Sequence, residues 1–231
     1  MSSPLLHIEG LRFAWTPGRP VLDIPELRLE RGEHLFLRGP SGSGKSTLLN
    51  LIGGVMVAQG GSIVIDGENL GRMSAAARDR FRAERIGFVF QMFNLLPYLN
   101  AIENVMLALD FAPQRRRRAA LEGDLEAQAR ALLERLQLAP EALSSRGAGA
   151  LSVGQQQRVA AARALFGGPS LVIADEPTSA LDSDARKAFL DLLFAECRRA
   201  HSALLFVSHD RSLETSFDRS LDLSSINQVV H

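Results

Sequence analysis

Gly39-Pro40-Ser41-Gly42-Ser43-Gly44-Lys45-Ser46-Thr47 fits the pattern G-x-x-x-x-G-K-[ST] of a phosphate-cradling loop. The residues around it suit that chemistry. His34-Leu35-Phe36-Leu37 reads as a buried strand, and Thr47-Leu48-Leu49-Asn50-Leu51-Ile52 reads as the start of a helix. A strand, a glycine-rich turn and a helix N-terminus aim backbone N–H groups and the positive end of a helix dipole at one point. Lys45 is placed to reach the β- and γ-phosphates of a nucleotide, and the Ser46 hydroxyl to ligate Mg²⁺. The competing reading is a Gly/Ser-rich turn that matches by accident, and the strand before it and helix after it argue against that.

The chain's 231 residues suit one compact domain with a substantial core, and its 46% apolar and 23% charged content is ordinary for a globular protein. Lys plus Arg (26) equals Asp plus Glu (26), which argues against nucleic-acid binding through a broad basic surface. The single Cys197 excludes an internal disulfide, and no Cys/His cluster suggests zinc. No apolar run approaches the ~18 residues of a membrane span, and the N-terminus lacks a signal peptide's basic and apolar regions. A cytosolic protein is expected; if it serves a membrane, another polypeptide crosses it.

Leu5 to Leu37 alternates strand-like runs with turn signals such as Thr16-Pro17-Gly18 and reads as antiparallel sheet. Ser62 to Gly67 is a further strand closed by a turn, and Ile86 to Phe90 is a buried strand running into Gln91. From about Asn100 to Leu165 the pattern turns helical, opening on a capping box of Asn100 and Glu103. Leu171 to Ala174 and Ala203 to Val207 return as apolar strands around the helical segment Ser183 to Arg199. Alternating strands and helices predict an α/β fold with a mostly parallel sheet, interrupted by a helical lobe.

Asp175 and Glu176 follow the strand Leu171 to Ala174, at the end where parallel sheets place ligands. Asp175 suits Mg²⁺ and Glu176 suits activation of the attacking water; the alternative is an acidic pair capping the turn before Pro177. Leu151-Ser152-Val153-Gly154-Gln155 is a helix start in which Ser152 and Gln155 are spaced as a capping box, and the same helix N-terminus is able to grip a γ-phosphate.

The stretch LSVGQQQRVAAARAL (residues 151–165) resembles the LSGGQ signature of ATP-binding-cassette ATPases, and LVIADEPTSALD (residues 171–182) resembles their Walker B and D-loop. The order of motifs agrees along essentially the whole chain. The resemblance implies a RecA-like phosphate-loop core, approximately residues 38–91 and 166–231, with an antiparallel β subdomain over 1–37 and a helical subdomain over 92–165. It also implies site roles. Gly39 to Thr47 would hold the phosphates of ATP. Gln91 is similar to the glutamine that contacts Mg²⁺ and water and senses the transporter. Ser208-His209-Asp210 resembles the switch region, with His209 on the γ-phosphate, and Asp182 closes the D-loop. Trp15 lies where the family places an adenine-stacking aromatic; Phe13 is a nearby competitor, and packing into the core is the other reading of Trp15.

The resemblance further implies a head-to-tail homodimer in which Ser152, Val153, Gly154 and Gln155 of one subunit complete the ATP site of the other. It implies integral membrane permease partners docking near residues 92–105, no nucleic acid, and a peripheral location on the cytoplasmic face of the inner membrane. Ile86 to Pro97 and Ala101 to Val105 look like the branch of lipoprotein-release, macrolide-export and cell-division ATPases. The 22 residues after His209 (231 − 209) are too few for the C-terminal regulatory domain of many importers. Val153 departs from the family pattern, which has glycine there, and its branched side chain is expected to narrow the approach to the γ-phosphate. The alternatives are a soluble cassette ATPase of DNA repair or translation and a slow regulatory ATP-binding subunit. Arg115-Arg116-Arg117-Arg118 reads as a solvated helix face rather than a membrane or nucleic-acid patch, and Cys197 as an ordinary helix residue.

Overall fold

The computed structural model describes residues 3–143 and 147–229. Its strands are β1 (Leu6–Thr16), β2 (Arg19–Leu29), β3 (His34–Arg38), β4 (Gly60–Ile65), β5 (Glu68–Asn69), β6 (Ile86–Val89), β7 (Leu171–Asp175), β8 (Ala203–Val207) and β9 (Arg219–Asp222). The helices are α1 (Lys45–Ile52), α2 (Ala75–Arg85), α3 (Ala101–Met106), α4 (Pro113–Leu121), α5 (Leu125–Arg135), α6 (Pro140–Leu143), α7 (Val153–Leu165), α8 (Ser183–Arg199) and α9 (Leu223–Ile226). The chain divides into two compact units, one holding the residues up to 82 and from 203 onward, the other residues 83–202.

In the first unit β2, β1, β4 and β5 form an antiparallel sheet in that order. Its strands read as half-buried because their apolar residues alternate: Leu6, Ile8, Leu11 and Phe13 of β1 are buried between exposed or half-buried neighbours. Asp66 and Gly67, both at positive φ (52° and 83°), make the tight turn from β4 into β5. The antiparallel reading of Leu5 to Leu37 ends short of β3, which pairs parallel with both β8 and β9. The reason lies in the residues. His34-Leu35-Phe36-Leu37 is buried at every position and lacks the alternation of β1 and β2, the pattern of a strand covered on both faces. Phe36 packs with Phe206 and Phe217 at centroid distances of 6.2 and 5.1 Å. Burying each such side chain contributes about 1.5–3 kcal/mol, which makes β3 a firm base for the loop that follows it.

In the second unit β6 and β7 pair parallel, Val89 opposite Ala174. Helix α7 is buried along Val159 to Ala162, Ala164 and Leu165. β6 approaches it so closely that a Cβ on Gly87 would fall 2.1 Å from the Ala164 carbonyl oxygen, so no larger residue fits. Helix α8 buries Phe189, Leu190, Leu193, Phe194 and Cys197, and burial, reinforced by the neighbouring Glu196, pushes the Cys197 thiol up to about 12.

The arginine run departs from expectation at its first member. Arg116, Arg117 and Arg118 are exposed, but Arg115 is 2% exposed. Its Nη2 donates to the Ala164 carbonyl at 2.9 Å, at the C-terminal end of α7. The Glu84 carboxylate accepts the backbone N–H groups of Gln114 and Arg115 at 2.8 and 2.7 Å, capping α4. Spacing alone puts all four arginines on a polar helix, but Arg115 and Ala119, one turn apart, form the buried face of α4. Burial draws the Arg115 guanidinium down to about 10, with Arg118 adding repulsion, so it keeps its charge at neutral pH. Arg115→Ala should therefore cost about 1–3 kcal/mol in urea denaturation by leaving the Ala164 carbonyl without its donor. Arg116→Ala should stay within about 0.5 kcal/mol.

Candidate functional site

In the first unit the phosphate loop leaves the end of β3 and turns into α1. Gly44 is the N-cap of α1 at φ 97°, and it offers no side chain to bond the first turn. Glycine is required there twice over: the left-handed conformation disfavours a Cβ, and one built at this position would lie 2.8 Å from Leu22 Cδ2. The N–H groups opening α1 thus face the loop without a side-chain cap, which makes a dipole-reinforced anion site. Lys45 Nζ lies across the loop and donates to the carbonyls of Gly39 (2.7 Å) and Pro40 (2.9 Å). The Ser43 N–H closes a turn onto the Pro40 carbonyl, while the buried Ser43 Oγ has no hydrogen-bond partner among the described residues. Ser41, Gly42 and Ser46 are exposed and Thr47 is buried under the first turn of α1.

His209 follows β8. Because β8 runs parallel to β3 with Val207 opposite Leu37, the phosphate loop and His209 emerge at the same edge. The switch segment is braced there: Ser208 N–H donates to the Leu37 carbonyl, and Asp210 Oδ1 accepts from the Ser212 N–H and hydroxyl. Trp15 is 64% exposed, which rules out the core-packing reading, whereas Phe13 is buried beneath the sheet. The two rings meet edge to face at 5.3 Å and 87°.

In the second unit the pairing of Val89 with Ala174 brings Gln91 and the Asp175-Glu176 pair to one edge. Gln91 is exposed and both carboxylates are half-buried. Glu176 sits in the left-handed region at φ 47°. The predicted signature helix is α7, and its capping box forms as the spacing indicates: Ser152 Oγ accepts the Gln155 N–H, and Gln155 Oε1 accepts the Ser152 N–H. Val153 is the first helical residue and is 49% exposed, and a Cβ on Gly154 would meet open space. Asp182 caps α8 by accepting the Ala185 N–H at 2.8 Å.

Three residues that hold these segments were not singled out from the sequence. Buried Gln157 donates to the Pro177 carbonyl at 2.8 Å, joining the signature helix to the turn after Glu176. Arg163 donates to the carbonyls of Phe93 and Asn94, each at 2.6 Å, and both of those residues have positive φ. Fully buried Asn104 accepts the Leu96 N–H and donates to the carbonyls of Leu96, Leu99 and Asn100. Only the amide and guanidinium residue types hint at such roles, since each contact joins segments that sequence spacing does not relate.

Among the described residues, no group of three or more His, Cys, Asp or Glu could hold a metal by itself, and no helix is long and apolar enough to cross a membrane. A hard cation held through a hydroxyl, an amide oxygen, one carboxylate and substrate phosphates needs no such group.

The sequence pattern of the ABC transporter family matches residues 22–179. The chain belongs to this family, as an ATP-binding, ATP-hydrolysing subunit of a transporter. Within it the chain is of the LolD and MacB type. It is 42% identical to the lipoprotein-releasing system ATP-binding protein LolD of Anaeromyxobacter dehalogenans, over 96% of this chain and 92% of that protein. It is 40% identical to an uncharacterized ABC transporter ATP-binding protein of Mycobacterium tuberculosis, over 95% and 87%. It also matches the macrolide export ATP-binding/permease protein MacB 2 of Aeromonas hydrophila at 37% identity, over 34% of that longer protein. Among solved structures, a dimeric ATP-binding cassette in a post-hydrolysis state with ADP and phosphate aligns at TM-score 0.77 and 33% identity, over 94% of this chain and 93% of that one. These relatives do not favour the repair or translation reading.

Asn104→Leu, close in volume, should cost about 1–3 kcal/mol in urea denaturation. It should also speed hydrogen exchange at the Leu96 amide. An unaltered exchange rate would show that the loop from Leu95 to Asn100 is held by other contacts.

Proposed function

We propose that the chain binds Mg·ATP in the Gly39–Thr47 loop, hydrolyses it to ADP and phosphate as a homodimer, and transmits the change to a membrane permease. The observation that carries the reading is the uncapped N-terminus of α1, with Lys45 lying across the loop in front of it. The N–H groups of Gly42, Gly44, Lys45, Ser46 and Thr47 and the Lys45 ammonium hold the phosphates, and the buried Ser43 hydroxyl donates to a phosphate oxygen. Trp15 stacks on adenine. Ser46, Gln91 and Asp175 hold Mg²⁺, which when bound neutralises charge on the β- and γ-phosphates. Glu176 takes a proton from the attacking water, and His209 donates to a γ-phosphate oxygen.

The start of α7, Ser152, Val153, Gly154 and Gln155, with Ser152 and Val153 exposed, serves the second copy's nucleotide, and Asp182 lies in the D-loop that meets that copy. ATP then binds the dimer more tightly than the monomer, and hydrolysis reverses the preference. The permease docks on residues 92–105, where Met92 and Tyr98 are 81% and 72% exposed on a loop held by Asn104. The chain works at the cytoplasmic face of the membrane without nucleic acid. In this reading residues 92–165 form the helical subdomain, residues 1–37 the antiparallel one, and 38–91 with 166–231 the ATP-binding core. Val153 occupies a helical position open to solvent, so its backbone is one that valine adopts readily; any effect on the partner's nucleotide is steric.

Glu176→Gln should bind ATP, lose turnover by about 10²–10⁴, and accumulate as an ATP-bound dimer on size-exclusion chromatography. An unchanged rate would remove Glu176 from the base role. Lys45→Ala should instead lose the ATP-dependent rise in melting temperature. Val153→Gly should raise ATPase activity or tighten ATP-dependent dimerisation while leaving monomer affinity alone, at a stability cost of about 0.5–1 kcal/mol. Equal turnover of the folded variant, with and without permease, would show that valine is merely tolerated.

A further inference from the structure

The end of β1 that carries Trp15 lacks a strand partner on one side. Backbone groups of alternate residues point to the same edge, so Arg12 and Ala14 both face β4. Arg12 pairs with Gly60, the first residue of β4, and the Gln59 N–H adds a bond to the Arg12 carbonyl at 3.0 Å. Beyond that point β4 has ended. On the opposite edge the pairing with β2 is also irregular, shifting register between Phe13 and Ala14 and again before Thr16, with Pro20 opposite Ala14. A proline offers no N–H to a ladder.

Gln59 supplies what the strand does not. Its Oε1 accepts the Ala14 N–H at 2.8 Å, and its Nε2 donates to the Ala14 carbonyl at 2.8 Å. A primary amide presents a donor and an acceptor in one plane, as a peptide does, so the side chain extends the β4 ladder by one peptide unit. The chemistry also fixes the amide's orientation, since the Ala14 nitrogen only donates and its oxygen only accepts. The clamp grips the residue immediately before Trp15, whose side chain stands exposed against the edge of core-anchored Phe13.

We infer that Gln59 is a positioning residue for nucleotide binding, holding the irregularly paired end of β1 so that Trp15 is presented as a preorganised adenine platform. The inference rests on the reading of Trp15 as the adenine-stacking residue. An anchored indole loses less freedom when a base stacks on it than one on a mobile strand end. The clamp acts on the base subsite alone, because the phosphates are held by the loop after β3.

The test uses the full chain, with ATP, ADP and inorganic tripolyphosphate as ligands and Trp15 as the only tryptophan. Gln59→Ala should weaken ATP and ADP alike by about three- to tenfold, the worth of roughly one net hydrogen bond. Tripolyphosphate affinity and kcat at saturating ATP should be unchanged. In the nucleotide-free protein, Trp15 anisotropy should fall and acrylamide quenching should rise. Gln59→Glu, which keeps the acceptor but sets a carboxylate against the Ala14 carbonyl, should behave like Gln59→Ala despite its similar size. On a Trp15→Ala background, Gln59→Ala should cost nothing further. If Trp15→Ala binds nucleotide as well as the parent chain, the stacking reading fails and the inference with it. If Trp15→Ala weakens binding but Gln59→Ala does not, or if tripolyphosphate weakens equally, the positioning role alone is overturned.

Discussion

A helix that begins on a glycine cannot cap itself. Gly44 opens α1 without a side chain to satisfy the first N–H groups, and a Cβ there would collide with Leu22. That single constraint organises the first unit. The donors must face a loop, so the loop must be bent by glycines, and the strand before it must be immobile enough to keep the bend in place. β3 meets that demand by being buried on both faces between β8 and β9, with Phe36 wedged against Phe206 and Phe217. The parallel pairing with β8 then delivers His209 to the same edge at no extra structural cost. Most donors offered to an anion at this point are backbone N–H groups, whose position is fixed by packing, with Lys45 Nζ already lying across the loop beside them.

The second unit solves a different problem, that of fixing irregular segments that carry no ladder of their own. It does so with long polar side chains that bond distant carbonyl groups. Gln157 holds Pro177, Arg163 holds Phe93 and Asn94, Arg115 holds Ala164, and Asn104 gathers the turn from Leu96 to Asn100. Three of these involve α7. The helix whose first turn presents Ser152 to Gln155 is therefore also tied to the turn after Glu176 and to the segment after Gln91. Movement of α7 cannot leave those two loops unchanged, because bonds that shape them end on its side chains.

The sequence discloses features whose causes are local. The strand and helix around Gly39–Thr47 and both capping boxes are legible because each depends on residues a few positions apart, and the structure realises each of them. Signals fail where the deciding partner is remote. The arginine run is polar by composition, yet Arg115 turns inward because Glu84 and Ala164 await it. Leu5 to Leu37 looks uniform in strand propensity, but His34 to Leu37 joins a parallel set because β8 and β9, more than 160 residues later, flank it. Trp15 illustrates the intermediate case: the residue type raises two readings, and its exposure removes the core-packing one. Gln59 and Asn104 escape a sequence reading altogether, since an amide's worth depends on which backbone it meets.

Glu176 occupies the left-handed region at φ 47°, a conformation that costs a non-glycine residue on the order of 1 kcal/mol or more. Glycine would adopt it freely, but at the loss of the carboxylate. The chain thus keeps an acid where its own backbone energetics favour the smallest neutral residue, and the cost falls on global stability whether or not nucleotide is present. Any side chain with a Cβ carries that cost here, so it belongs to the turn and not to the carboxylate itself.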